Sequence, residues 1–181
     1  MIKSAYSFAS KKEKIQSHII VLWVDNESGV LARVVGLFSG RGYNIDSLAV
    51  AEVDKKKNIS RITISTSGTP QVLQQIKLQF SKLIPVHKVG YFPINKKTLM
   101  REMALLKVVS SSSQLQRAKK LCKKYKYAVL DQTSKSFVFE VSALKKEIDD
   151  LIKKLQPLGL ASVSRTGVVA MTKGSEIYKQ Y

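Results

Sequence analysis

Asn26, Ser28 and Gly29 stand just before a short apolar stretch and Asn44 just after it, in DNESGVLARVVGLFSGRGYNID, residues 25–46. A carboxamide donates through its nitrogen and accepts through its oxygen, so two of them can meet both ends of a small zwitterion. The bare backbone of Gly29 lets such a ligand approach the first N–H groups of a helix, where the dipole favours a carboxylate. Val30, Leu31 and Ile45 leave room beside it for an aliphatic side chain. The plainer alternative is that Asn26 and Ser28 cap the helix through their side-chain oxygens and Gly29 only turns the chain. Capping accounts for the first corner, but not for a second asparagine at the mouth of the next strand.

Covalent chemistry finds no footing in the same residues. Ser28 beside Asn26 lacks a base. His18, His87 and Cys122 do not assemble a metal site of known spacing. There is no phosphate-cradling glycine loop and no acidic pair at a useful metal spacing. Cys122 is the single cysteine, so no internal disulfide forms, which is compatible with a reducing compartment. No apolar run approaches the ~20 residues of a membrane span. The expectation is a soluble protein without a catalytic site, a metal or a cofactor of its own.

The elements that must position these residues follow from periodicity. HIIVLWV at 18–24 reads as a strand, and Val30, Leu31, Val34, Val35, Leu37 and Phe38 form one face of a helix near 29–41, stopped by Gly40 and Gly42. Strands at 45–53 and 59–66 flank the polar turn DKKKN. A helix runs from about Pro70 to Lys82, with proline suited to its first turn, and VHKVGYF at 86–92 closes a βαββαβ unit. The second half repeats the order: a strand at 102–109, a helix at 112–126, a hairpin of 127–132 and 136–141, and a helix marked by Leu144, Ile148, Leu151, Ile152 and Leu155. A last strand is predicted at about 161–170.

The fold class is thus α+β, with two ferredoxin-like βαββαβ domains. The predicted organisation is a polar tail at 1–17, a first domain at 18–94 and a second at 95–181, joined by PINKKTL at 93–99. Each domain should leave a bare sheet face and exposed edge strands, which favours pairing with a second copy.

The formal net charge of +18 is unevenly spread. Basic and acidic residues number four and one in 1–17, nine and five in 18–94, and eighteen and seven in 95–181. A basic half invites a nucleic-acid reading. SFVFEV at 136–141 faintly echoes the aromatic strand of RNA-recognition domains, yet EMALLKVV offers no second aromatic for a stacking platform. Lysines on the outer faces of amphipathic helices explain the charge more simply, so neither nucleic acid nor membrane is the expected partner.

NESGVLARVVGLFSGRGYNIDSLAV, with ISRITI at 59–64, resembles the small, regulatory subunit family of acetolactate (acetohydroxyacid) synthase, whose first domain is an ACT domain. REMALLKV at 101–108 and RTGVVA at 165–170 extend the likeness over about 18–174. The resemblance implies a homodimer through ACT domains that binds valine between two protomers, the contacts falling on Asn26, Gly29 and Asn44, with Val30 and Ile45 beside them. It further implies activation of a large catalytic subunit, which would hold thiamine diphosphate, magnesium and FAD, and feedback inhibition within branched-chain amino-acid biosynthesis. The setting would be the bacterial cytoplasm or the plastid stroma. A stand-alone ACT sensor is the variant reading, against which the two later motifs argue. The basic second half is not something the resemblance demands, and an additional anion such as a nucleotide would suit it.

Overall fold

The computed structural model describes residues 15–94, 98–125 and 127–175. β1 (Gln16–Asp25) is the spine of the first domain and is buried along Ile19–Val24 on both of its faces. It lies between β3 (Ile59–Gly68) and β4 (Val86–Pro93), and β2 (Ser47–Asp54) pairs outside β3, all antiparallel. α1 (Val30–Ser39) and α2 (Pro70–Phe80) cover one face. Between them and the sheet, Ile20, Leu22, Ile62 and Ile64 meet Val34, Phe38, Ile76 and Phe80. Thr69 accepts from the Val72 amide at 3.4 Å and Pro70 occupies the first turn of α2, as its residue type suggests.

The second domain contains β5 (Thr98–Val109), α3 (Ser112–Cys122), β6 (Tyr127–Gln132), β7 (Ser136–Ala143), α4 (Lys145–Leu155), β8 (Leu160–Arg165) and β9 (Val169–Thr172). The sheet order is β6-β7-β5-β8, and β9 also pairs with β5. Phe137 and Phe139 lie in the core with Leu106, Leu115, Ile148 and Leu151, so the strand that echoes RNA-binding aromatics turns them under the helices. Both domains therefore have the expected ferredoxin-like order, and among the described residues no helix is long and apolar enough to cross a membrane.

Four expectations need correction. The last strand is not continuous: Ala104 faces Arg165 but Arg101 faces Val169, so one extra residue is accommodated between β8 and β9. Gly167, at φ +78°, takes the left-handed conformation that this bulge requires. Thr98 and Leu99, placed in a linker by their sequence, belong to β5, while residues 95–97 lie outside the described residues. Of the polar tail, residues 1–14 lie outside them too, and Gln16 and Ser17 extend β1.

The fourth correction matters most for function. The sheet face of the first domain opposite its helices is not bare. Ile19, Val21, Trp23, Ile59 and Phe92 form a second buried cluster with Val168 and Ala170, against which Met100 packs. Arg61 lies over the Trp23 ring at 5.5 Å and donates to the Ala170 carbonyl at 2.5 Å. The β5–β9 ribbon of the second domain is thus the cover of the first. The second sheet keeps its open face, with Lys107, Ser142, Ser162 and Ser164 exposed. Among the described residues β2 remains an unpaired edge, and Val50 and Val53 on it are 43% and 42% exposed.

Candidate functional site

Among the described residues no side chain caps the N-terminus of α1. Gly29 occupies the cap position at φ +83°, and a β-carbon there would meet nothing within 4 Å, so backbone conformation and not crowding selects glycine. Ser28 is exposed and does not cap. Asn26 does not cap either: its Oδ1 accepts from the Ser60 hydroxyl at 3.0 Å, and its backbone carbonyl accepts from Asn58 Nδ2 at 3.3 Å. The capping explanation for this corner is overturned. The first turn of α1 keeps outward N–H groups that nothing in the helix can satisfy, and Asn26 keeps its amide nitrogen as a donor beside them. Val30 is buried beneath this turn. Asp25, one residue earlier, is bonded to His87 at 2.6 Å.

Asn44 sits in the segment that leads into β2. Its Nδ2 donates to Asp46 at 2.7 Å, and its carbonyl accepts from the Thr66 hydroxyl at 2.7 Å. Asp46 also accepts from Ser67 at 3.0 Å. With the nitrogen donating to Asp46, the carboxamide oxygen of Asn44 is left as an acceptor among the described residues. Ile45 is half-buried and packs against the core below.

These two corners do not meet within one chain. Asn26 is tied to Ser60 and Asn44 to Thr66, six residues apart on β3, which at about 3.3 Å per residue is roughly 20 Å. Gly29 and Val30 share the corner of Asn26, and Ile45 shares that of Asn44. Asp46 and Ser60, which fix which end of each carboxamide is free, are absent from the expected set. The Asn44-x-Asp46 spacing was the one signal that could have found the first, because Asn and Asp two residues apart bond locally in turns. Nothing in the sequence joins Ser60 to Asn26.

The second domain carries a different polar cluster. Arg165 grips Glu102 with two bonds of 2.7 Å and Asp149 with one of 2.6 Å. The hydrogen bonds to Glu102 raise the guanidinium pKa further above its ordinary value, against the opposing effect of burial. Burial would raise the Asp149 carboxyl, but bonds from Arg165 and Lys145 outweigh it and hold the pKa below normal. Cys122 is fully buried, and burial pushes its thiol up to about 12. Only about one molecule in ten thousand would then carry a thiolate at pH 8. Cys122 is accordingly expected to resist iodoacetamide in the native protein and react fully in urea, as mass spectrometry would read. Alkylation at equal rates in both states would contradict this. Among the described residues no group of three His, Cys, Asp or Glu side chains could hold a metal ion.

Known proteins match along the chain in the same two parts. The model of the small subunit of acetolactate synthase matches residues 101–174, and that of the AHAS small subunit-like ACT domain matches residues 20–88. The acetolactate synthase small subunit of Aquifex aeolicus is 34% identical over 94% of this chain and 88% of its own. That of Bacillus subtilis is 36% identical over 87% and 91%. The crystal structure of the acetolactate synthase small subunit from Thermotoga maritima superposes with a TM-score of 0.81 at 29% identity, covering 89% of this chain and 99% of that one.

Proposed function

Because the chain belongs to the acetolactate synthase small-subunit family, with an ACT domain over its first half, we propose that it regulates a catalytic subunit and conducts no chemistry itself. The large subunit would hold thiamine diphosphate, the divalent cation and FAD, and carry out the condensation. This chain would keep that subunit in its more active state and lower its activity when valine binds.

The observation that carries this reading is the division of the two asparagines between opposite ends of β3, each with one end of its carboxamide tied down. If β2 pairs with β2 of a second copy, antiparallel about a two-fold axis, the Ser47 end of one strand lies beside the Asp54 end of the other. Asn44 of one protomer then faces the Asn26 corner of its partner. The free nitrogen of Asn26 and the first N–H groups of α1 present donors to a carboxylate. The free oxygen of Asn44, backed by Asp46, presents an acceptor to an ammonium. Gly29 keeps the approach open, and Val30 and Ile45 border the aliphatic side chain. Each corner alone recognises half a zwitterion, so binding and dimerisation support one another.

Valine can shift activity only by binding two quaternary states unequally. A coupling of about 1–3 kcal/mol, ordinary for allostery, would change activity several-fold to a hundredfold. Discrimination against leucine should be modest, because one methylene is worth about 1–3 kcal/mol.

The test pairs this chain with its catalytic subunit. Asn26→Ala and Asn44→Ala should each raise the valine concentration for half inhibition by about ten- to a hundredfold, the loss of a charge-assisted hydrogen bond. Activation without valine should survive. Unchanged inhibition in both variants would refute the seat, and acetolactate formation by this chain alone would refute the division of labour.

A further inference from the structure

β5 is covered on one side only. Met100 packs against the first domain, and Ala104, Leu106 and Val108 lie in the core beneath α3 and α4. The residues that alternate with these, Met103, Leu105, Lys107 and Val109, belong to none of the buried clusters. Strand pairing widens this face: Val138 and Ser162 flank Lys107, while Glu140 and Ser164 flank Leu105. Val109 is 46% exposed. Apolar side chains set among small serines on a flat sheet make a surface fit for contact with another protein.

The face is spared the positive charge of its domain. Residues 95–181 carry eighteen basic residues and seven acidic, yet the strands present here Lys107 against Glu140 and Asp131. The excess lies on the helical side, where Arg117, Lys119, Lys120, Lys123 and Lys124 stand on or just beyond α3 with no acidic residue among them. Lys107 and Glu140 are diagonal neighbours, Lys107 facing Val138 and Glu140 standing two residues further along β7. Among the described residues neither closes an ion pair.

We propose that this face docks on the same face of a second copy of the chain. A two-fold axis lying between the two sheets, across the line from Lys107 to Glu140, sets each of them over its opposite in the other copy. Both ion pairs then close across the contact, and Met103, Leu105 and Val138 are covered. The repulsion between two chains of net charge +18 is least in this arrangement. Stacked sheets lie about 10 Å apart, and a helix about 10 Å thick on each outer side puts the basic layers roughly 30 Å apart. That is several times the ~8 Å over which such charges act at physiological salt. A nucleic acid or an acidic protein surface would be drawn instead to α3. The contact is separate from pairing of β2 with β2, which uses an edge of the first domain.

The experiment follows the mass of the full chain by sedimentation velocity over a concentration series. Lys107→Glu and Glu140→Lys should each weaken the association at least about tenfold, because the two-fold axis sets like charges against each other twice. The exchanged variant Lys107→Glu/Glu140→Lys should return to within about threefold of the parent, since the two changes are coupled through the contact. An equimolar mixture of the two single variants should associate equally well, because the all-acidic face of one meets the all-basic face of the other. Recovery in the mixture reports contact between two copies, and a variant that had merely failed to fold would not show it. Val50→Lys/Val53→Lys on the β2 edge should leave the association in place. Absence of β2 pairing would therefore change the final mass of the parent and none of these comparisons. Equal association of the parent and the single variants would overturn the proposal, as would losses that neither the exchange nor the mixture restores. So would Leu105→Glu abolishing capture of the catalytic subunit while the mass of the chain alone stays the same, because the face would then belong to that subunit.

Discussion

Arg165→Met is expected to destabilise the chain by about 3–5 kcal/mol, read as a lower urea midpoint, the usual cost of stranding a buried charge. Glu102 is 3% exposed, and Arg165 supplies both of its charge-assisted bonds. Methionine keeps the stem of the side chain and removes the fork, so the loss is electrostatic and not a cavity. Removing both partners together, as Glu102→Leu/Arg165→Leu, should recover most of the loss, because a well-packed apolar pair needs no counter-charge. Asp149 retains Lys145 in either variant. A midpoint within experimental error of the parent for Arg165→Met would show that water reaches Glu102. The same cluster gives a pH dependence. The Asp149 pKa is lower folded than unfolded, so its contribution is complete above the unfolded value, about 4, and disappears as pH falls through the folded one. Replacing Arg165 should flatten that acid limb.

Removing residues 95–181 should have the second large effect: the remaining first domain is expected to aggregate or lose its dispersed amide spectrum. Ile19, Val21, Trp23, Ile59 and Phe92 are each at most 4% exposed, and the cover over them comes from Met100, Val168 and Ala170. Full burial of such side chains contributes roughly 1.5–3 kcal/mol apiece, and the five together rival the whole stability of a domain, about 5–15 kcal/mol. Polar replacements on that face, such as Val21→Thr with Phe92→Thr, should restore solubility to the fragment while weakening the intact chain. A soluble, well-dispersed fragment 1–94 without them would mean that the ribbon is a loose lid.

The helices were legible because their apolar residues recur at helical spacing, and tertiary packing agrees with that local preference in α1, α2, α3 and α4. The covered face was also written in the sequence, though it was read otherwise. Ile19 to Val24 is a continuous apolar run and not an alternation, which is the pattern of a strand buried on both sides. The break at Gly167 was not legible, because this glycine, one of nine, looks like any other until its partner strand is known. Asn26 and Asn44 stood out by residue type. Their separation along β3 did not, because it depends on which residue of β3 each touches, and that register is set by strand pairing over distances the local sequence does not encode.

β5 runs unbroken from Thr98 to Val109 and serves two masters: its first four residues ladder with β9 against the first domain, and the rest form the middle of the second sheet. A hinge needs a few residues free to swivel, and here the junction is laced by backbone hydrogen bonds on the way through. The two ladders of β5 are therefore held as one stiff ribbon. A disturbance passing from the covered face of the first domain to the second sheet by this strand would be carried along it and not absorbed by a swivel within it.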